Sequence, residues 1–150
     1  MRNIFKQFLL GISLAGLAFA GTQAVAEDKP FAEKKIVLQI SDDDPAKQQM
    51  VLNVANNLIK EYGGPEKVEI EIVAFGPGLR LMFADNAHGA RIKSLDTNGV
   101  RFTACSNTIT SMAKILGEEP QIIAIAKKDL PGVVRITELV TEHGYVLVKP

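Results

Sequence analysis

The chain has 150 residues with 17 basic and 17 acidic side chains, so its formal net charge at pH 7 is zero. No basic run is longer than Lys127-Lys128, which argues against a nucleic-acid-binding surface. The chain contains a single cysteine and two histidines that lie far apart in sequence, so no metal-binding spacing of His and Cys is present.

Residues 1–26 have the three parts of a secretory signal peptide. Arg2 and Lys6 form a basic start, residues 8–20 are apolar, and an Ala-Val-Ala cleavage motif follows. The apolar run is short for a membrane span, although an uncleaved N-terminal anchor is the alternative. We expect cleavage before Glu27 and a periplasmic protein with no membrane segment after cleavage.

The mature chain begins with a polar stretch and an α/β pattern. Residues 27–34 predict a flexible leader, and the β-branched run over residues 35–40 is typical of a strand buried on both faces. Asp44 is predicted to cap the next helix, with Pro45 in its first position. Apolar residues at helical spacing extend this helix to about Tyr62.

The middle of the chain repeats this alternation of strand and helix. A second strand is predicted over residues 67–76, and Gly76-Pro77-Gly78 forms a tight turn that lets the next segment approach the sheet. One or two helical turns and a helix over about residues 87–96 follow. The sequence then predicts a third strand over residues 100–104 and a helix over residues 107–116.

Three further elements complete the domain. Residues 121–127 predict a fourth apolar strand, a helix begins at Pro131 and ends at Gly144, and residues 145–149 form the last strand. With right-handed crossovers, this order predicts an α/β fold over residues 35–150. We expect a three-layer, doubly wound, flavodoxin-like domain with a five-stranded, mainly parallel sheet.

The loops that follow the strands are the candidate site, because the carboxyl ends of parallel strands meet at one edge of the sheet. Asp42 and the two aspartates after it could bind a hard cation, but helix capping explains them better, so no metal is expected. The Gly-Pro-Gly turn lacks nucleotide-binding motifs, so no cofactor is expected. His88 is a further candidate that could reach this edge or lie in solvent. The candidate loop residues are Ser41, Asp42, Gly76, Pro77, Gly78, Cys105, Ser106, Asn107 and Thr108.

Cys105 lies at the junction of the third strand and its helix. The start of a helix favours thiolate over thiol, whereas a lone cysteine can also be a small buried apolar residue. An unpaired cysteine in an exported protein indicates intermolecular pairing or a reactive thiol. Ser106 or Asn107 is predicted to cap the helix, and the polar residues around Cys105 predict that its side chain opens to solvent.

Three motifs in this order, FGPGL, GVRFTACSNT and GYVLVKP, resemble the DsrE/DsrF-like family of sulfur-relay proteins, in its exported single-domain branch. The resemblance covers about residues 35–150 and implies a doubly wound α/β domain that assembles into trimers or hexamers. It also implies a cysteine that carries sulfur as a persulfide, a role that falls on Cys105. The best-characterised relay members are cytoplasmic hetero-oligomers, in contrast to the exported character of this chain.

Two functions remain open from the sequence. The first is a periplasmic, homo-oligomeric sulfur carrier or sulfurtransferase-type relay, in which Cys105 exchanges sulfane sulfur with donor and acceptor proteins without a cofactor. The second is a non-catalytic oligomeric binding module in which Cys105 is structural. A small thiol-redox enzyme would need a resolving cysteine, and the chain has no Cys-x-x-Cys motif.

Overall fold

The computed structural model describes residues 29–150, so the predicted signal peptide lies outside the described residues. No helix in this described part is long and apolar enough to cross a membrane. The elements are, in chain order, β1 (Lys34–Ile40), α1 (Pro45–Glu61), β2 (Val68–Ala74), a 3-10 helix (Gly76–Met82), α2 (Gly89–Thr97), β3 (Arg101–Ala104), α3 (Ser106–Leu116), α4 (Gly132–Thr141) and β4 (Val146–Val148).

The strands form one sheet in the order β3-β2-β1-β4, and all three strand pairs are parallel. Ile36 of β1 pairs with Ile70 of β2 on one side and with Val146 of β4 on the other. At the other edge, Glu71 of β2 lies opposite Arg101 of β3. The predicted parallel sheet is confirmed, but it has four strands and not the predicted five.

The segment over residues 121–127, predicted as the fourth strand, is not a strand. Ile122 makes one antiparallel bridge with Phe83, and Lys127 makes one parallel bridge with Thr103. Between these two bridges the chain turns. The backbone partners of the segment are divided between the end of the 3-10 helix and β3, so it does not run beside either one for the length of a strand.

One face of the sheet is covered by α1 and α2. Helix α1 begins as predicted: the Asp44 side chain accepts a hydrogen bond from the Ala46 N–H (2.7 Å), and Pro45 occupies the first turn. Buried residues recur along α1 at three- and four-residue spacing and pack on alternate residues of the strands. This apolar core includes Val51, Leu52, Ala55, Ile59, Ile92 and Leu95 from the helices and Ile36, Leu38, Ile40, Ile70 and Ile72 from the strands.

Helix α4 covers the opposite face, toward which the other residues of β1 and β2 point. The apolar residues of this second cluster are Val37, Val73, Ile136, Leu139 and Tyr145. β2 also places Glu69 and Glu71 on this face, where they are 1% and 0% exposed. The sheet is therefore flanked by helices on both faces, and one of the two faces contains buried charge.

The 3-10 helix replaces the predicted turn and helical turns after β2. Gly78 allows this helix to approach β1: a Cβ at this residue would lie 2.5 Å from the Ile40 carbonyl oxygen and 2.8 Å from the Ser41 Cα. Such distances are too short for any side chain, so the position requires glycine. The close approach brings the Gly-Pro-Gly segment to the same sheet edge as the end of β1.

The described part of the predicted flexible leader, residues 29–33, is bonded to the domain. The Lys29 backbone N–H donates to the Glu69 carboxylate (3.2 Å), and the Glu33 N–H donates to the Lys67 carbonyl (2.8 Å). These bonds hold the segment beside the start of β2. The structure thus differs here from the predicted leader, and β1 begins one residue earlier than predicted.

Candidate active site around Cys105

Cys105 joins β3 to α3. Its backbone N–H donates to the Ala74 carbonyl of β2 (3.0 Å), and its carbonyl accepts from the Ile109 N–H in the first turn of α3 (3.0 Å). Cys105 itself is the N-cap residue, with an extended backbone, so the prediction that Ser106 or Asn107 caps this helix is wrong. Its side chain makes no capping hydrogen bond, which leaves the N–H groups of the first turn directed toward the sulfur.

The start of a second helix, α4, packs against Cys105. A Cβ on Gly132, the first residue of α4, would lie 3.1 Å from the Cys105 Cβ and 3.3 Å from the Phe75 Cβ. The Ser106 N–H donates to the Leu130 carbonyl (3.1 Å), which ties the start of α3 to the loop before α4. The thiol therefore lies between the starts of two helices, where both helix dipoles favour negative charge.

Thr108 supplies a hydroxyl group to the same place. Its Oγ1 accepts a hydrogen bond from the Gly76 N–H (3.0 Å). A hydroxyl that accepts in this way keeps its own proton free to donate, and this proton is available to the Cys105 sulfur. The Gly-Pro-Gly segment thus contributes through its backbone, by orienting the Thr108 hydroxyl.

These groups affect the ionisation of the thiol. Burial acts to raise the pKa of Cys105, but the Thr108 hydroxyl and the backbone N–H groups of Gly132, Thr108 and Asn107 stabilise the thiolate more strongly. As a result the pKa of Cys105 lies below its ordinary value. The geometry is that of a stabilised sulfur anion.

The thiol is more covered than the sequence predicts, because Cys105 is only 6% exposed. An open groove of about 410 Å³ lies beside it. This groove is lined by Gly76, Pro77, Asn107, Thr108, Ser111, Met112 and Ile115. Cys105 is not part of this lining, whereas Asn107 and Thr108 are.

The acidic loop after β1 has structural partners. Asp42 forms an exposed ion pair with Lys47 (3.1 Å), and Asp43 lies 3.8 Å from Arg80. Ser41 lies against Gly76 and Gly78, so it belongs to the same edge as Cys105. Within residues 29–150 there is no group of three or more His, Cys, Asp or Glu side chains that could hold a metal ion.

His88 immediately precedes α2, and its backbone N–H donates to the Asn86 side chain (2.7 Å). The side chain is half-buried, and no hydrogen bond in the described part of the chain connects it to Cys105. The structure therefore brings together Ser41, the Gly-Pro-Gly segment and the Cys105 loop.

Sequence reasoning missed a cluster of buried charges beneath α4. Glu71 accepts two hydrogen bonds from Arg135, each 2.8 Å long, and one from the Thr103 hydroxyl (2.8 Å). Arg101 lies 3.2 Å from the same carboxylate. Burial acts to raise the pKa of Glu71, but these partners outweigh burial and hold the pKa below its ordinary value. The alternating Glu and Ile residues of β2 were the sequence feature that could have indicated this cluster.

Glu69 forms the second half of this cluster. It accepts from the Tyr145 hydroxyl, which Arg101 also contacts, and Lys35 lies 3.6 Å away. Burial raises the pKa of Tyr145 and the hydrogen bond to Glu69 raises it further, so the phenol stays protonated. Every buried side-chain nitrogen and oxygen atom in the described part of the chain has a partner. The buried polar atoms of the cluster are thus all paired within the protein.

No family model and no curated protein matches the chain. Among solved structures it is similar to MTH1491 from Methanobacterium thermoautotrophicum, described as a protein of unknown function, with a TM-score of 0.68 and 25% identity. The similarity covers 79% of this chain and 100% of that chain. Together with the sheet order, it defines the class: an α/β fold with a four-stranded parallel sheet flanked by helices, which fits the flavodoxin-like architecture.

Proposed function

We propose that the protein is a sulfur carrier of the DsrE-like type, in which Cys105 accepts sulfane sulfur as a persulfide and passes it on. The observation that carries the proposal is the position of the Cys105 thiol between the starts of α3 and α4, with the Thr108 hydroxyl available to the sulfur. The motif resemblance supports the same role and a doubly wound domain.

The transfer requires no oxidant or reductant. The Cys105 thiolate attacks the outer sulfur of a donor persulfide, the S–S bond of the donor breaks, and the donor leaves as a thiolate. The new S–S bond makes Cys105 a persulfide. In the second step an acceptor thiolate attacks the outer sulfur of this persulfide, and Cys105 returns to the thiolate form.

The chain's own groups suit both forms of the cysteine. Thiolate and persulfide are both anions, and the backbone N–H groups of Asn107, Thr108 and Gly132 stabilise negative charge at this place. Release of a thiolate also becomes easier when its pKa is low. We propose that a small persulfide or a partner's loop approaches through the open groove beside Thr108.

We also propose that the mature protein is periplasmic and forms a homotrimer or homohexamer, with separate donor and acceptor proteins as transient partners. The signal-peptide features and the motif resemblance support these proposals. N-terminal sequencing of periplasmic protein should begin at Glu27, and light scattering should give a mass that is a multiple of three subunits. Full-length protein in the membrane fraction, or a monomer at micromolar concentration, would contradict them.

A binding module with a structural cysteine is the second candidate. One observation favours it: Cys105 is 6% exposed and packs closely against Gly132 and Phe75. In this case the thiol fills space between two helix starts, and the lowered pKa has no chemical use.

Intact mass spectrometry separates the two candidates. The mature protein is incubated with glutathione persulfide or polysulfide and then with dithiothreitol, with Cys105→Ser as the control. A sulfur carrier gains the mass of one sulfur atom, loses it on reduction, and shows no gain in the control. If the native protein gains no sulfur but the urea-unfolded protein does, Cys105 is structural and the binding module is the better description.

A further inference from the structure

The first turn of α4 is held by an ion pair that lies on the charged face of the sheet. Arg135 is one turn along α4 from Gly132, and its backbone N–H donates to the Pro131 carbonyl (3.0 Å). Its guanidinium Nε and Nη2 each lie 2.8 Å from a different oxygen of Glu71. The Arg135 side chain is 16% exposed, so this pair is largely shielded from water. A two-point contact of this kind sets both the distance and the orientation of the helix.

Glu71 is fixed in turn by the sheet. It lies in β2, one of the two central strands, accepts from Thr103 of β3 (2.8 Å), and is 0% exposed. Two residues further along β2, Val73 has a methyl carbon 3.4 Å from where a Cβ of Gly132 would lie. The carboxylate therefore has no freedom of its own, and it connects the rigid sheet directly to the start of α4.

We propose that Arg135 and Glu71 are positioning residues, whose bidentate ion pair keeps the backbone N–H of Gly132 against the Cys105 sulfur. The tight packing at Gly132 makes the position sensitive, because a single added carbon would lie 3.1 Å from Cys105 and 3.3 Å from Phe75. The inference rests on the proposed function only in requiring an ionised Cys105, and it holds whether or not the anion carries sulfur.

The ion pair acts on the thiol through geometry and not through its own charge. The charged groups that face Glu71 are Arg135 from α4 and Arg101 from β3, and Glu138 lies 3.7 Å from Arg135 on the helix. The groups that stabilise the Cys105 anion are a hydroxyl and backbone N–H groups. A variant that keeps the charge at position 135 but loses the two-point contact therefore tests the inference.

The experiment measures the rate of iodoacetamide alkylation of the native mature protein against pH. Arg135→Lys keeps the positive charge but cannot form two parallel hydrogen bonds, and Gly132→Ala changes no charge while pushing α4 away from the sulfur. The midpoint, the pH at which the alkylation rate is half-maximal, should rise by about 0.5–1 pH unit in both variants, because one of the two helix starts moves away from the thiolate. Arg101→Lys, which changes the other cation on Glu71 without contacting α4, should keep the wild-type midpoint.

Amide hydrogen exchange supplies a second measurement, and faster exchange in the first turn of α4 is expected in Arg135→Lys. Wild-type midpoints in both folded variants, or an equal rise in Arg101→Lys, would overturn the inference. If Arg135→Lys does not fold, Glu71→Gln removes the charged two-point contact from the other side, and a wild-type midpoint in that variant would overturn the inference. A wild-type protein with a low midpoint that never gains sulfur would end the carrier proposal and leave the positioning role intact.

Discussion

The two faces of the sheet are built by the same strands and stabilised in different ways. Toward α1, β2 presents Ile70 and Ile72, which lie in a continuous apolar core. Toward α4, the same strand presents Glu69 and Glu71, which are as fully buried and are paired with arginine and tyrosine. Strand alternation alone separates an apolar face from a charged one.

The difference indicates a division of roles. Apolar packing gains free energy roughly in proportion to the area buried and is not directional. A buried ion pair loses most of its attraction to desolvation, but it defines geometry closely. The apolar face therefore supplies most of the stability, and the charged face fixes α4, whose first residue contacts Cys105.

The largest effect is expected from breaking the charged cluster at its centre. Glu71→Ala should lower the free energy of unfolding by about 3–5 kcal/mol, because it removes both short hydrogen bonds of the largely buried Arg135 and leaves it only Glu138, 3.7 Å away. Ile72→Ala, the neighbouring residue on the other face, should cost about 2–5 kcal/mol through the cavity it leaves. Urea unfolding at pH 7 measures both.

The double variant Glu71→Met with Arg135→Met sharpens this result. Arg101 keeps Glu69 as its partner, and Glu138, which loses Arg135, is 34% exposed, so no buried charge is left unpaired. Stability should return to within about 1–2 kcal/mol of wild type. The same variant should raise the pKa of Cys105. A double variant as unstable as Glu71→Ala would show that the charged face supplies stability rather than position.

Acid should weaken the charged face before the apolar one. The folded-state pKa values of Glu69 and Glu71 are both held below the ordinary value, despite the burial that acts to raise them. The stability they contribute is thus complete above the unfolded pKa and is lost as pH falls through the folded pKa. We expect stability to be lost progressively as pH falls below the ordinary glutamate pKa, which is about 4.3. Urea midpoints against pH should fall less steeply in Glu71→Gln, and equal slopes would refute this account.

A smaller effect is expected at the sheet edge, where polar contacts act on the thiol. Thr108→Val removes the hydroxyl that lies between the Gly76 N–H and Cys105, and it should raise the pKa of Cys105 by about one pH unit. The free energy of unfolding should fall by only about 1 kcal/mol. Thr108→Ser keeps the hydroxyl and is the matched control for alkylation against pH. An equal rise in both variants would show that the effect does not come from loss of the hydroxyl.

The smallest effect is expected from an exposed ion pair. Asp42 and Lys47 lie 3.1 Å apart, and their side chains are 39% and 45% exposed. Asp42→Asn should therefore change the free energy of unfolding by about 0.5 kcal/mol or less, since water screens such pairs. Thermal unfolding in low and high salt measures it. A change as large as that of Glu71→Ala would mean that burial does not distinguish the two kinds of pair.

Local residue patterns predicted the elements whose signals lie in their own sequence. The cap and first turn of α1 follow from Asp44 and Pro45, and β1 follows from its β-branched run. The error at residues 121–127 has a different origin. Its apolar run fits a strand, but a strand also needs a free edge beside it, and β3 offers this segment only one bridge, at Thr103. Such pairing depends on residues distant in sequence.

The candidate site was only partly predicted, because it too depends on contacts between residues that are distant in sequence. The place of Cys105 at the end of β3 follows from the local sequence, but its contact with Gly132 depends on how the chain crosses the sheet. That contact also explains why Cys105 is buried although its neighbours are polar. The alternation of glutamates in β2 was visible in the sequence. Their pairing with Arg101 and Arg135 was not, because these arginines lie on other elements that only the fold brings to β2.

The two glycines of the Gly-Pro-Gly segment should differ in the substitutions they tolerate. Gly76 has a φ of 53°, and a Cβ there would meet its nearest atom at 3.8 Å, so a variant library should retain asparagine at this position. At Gly78 there is no room for a side chain, because a Cβ would lie 2.5 Å from the Ile40 carbonyl oxygen. The same library should therefore retain only glycine at this position. One short motif thus contains one position defined by backbone angle and another defined by volume.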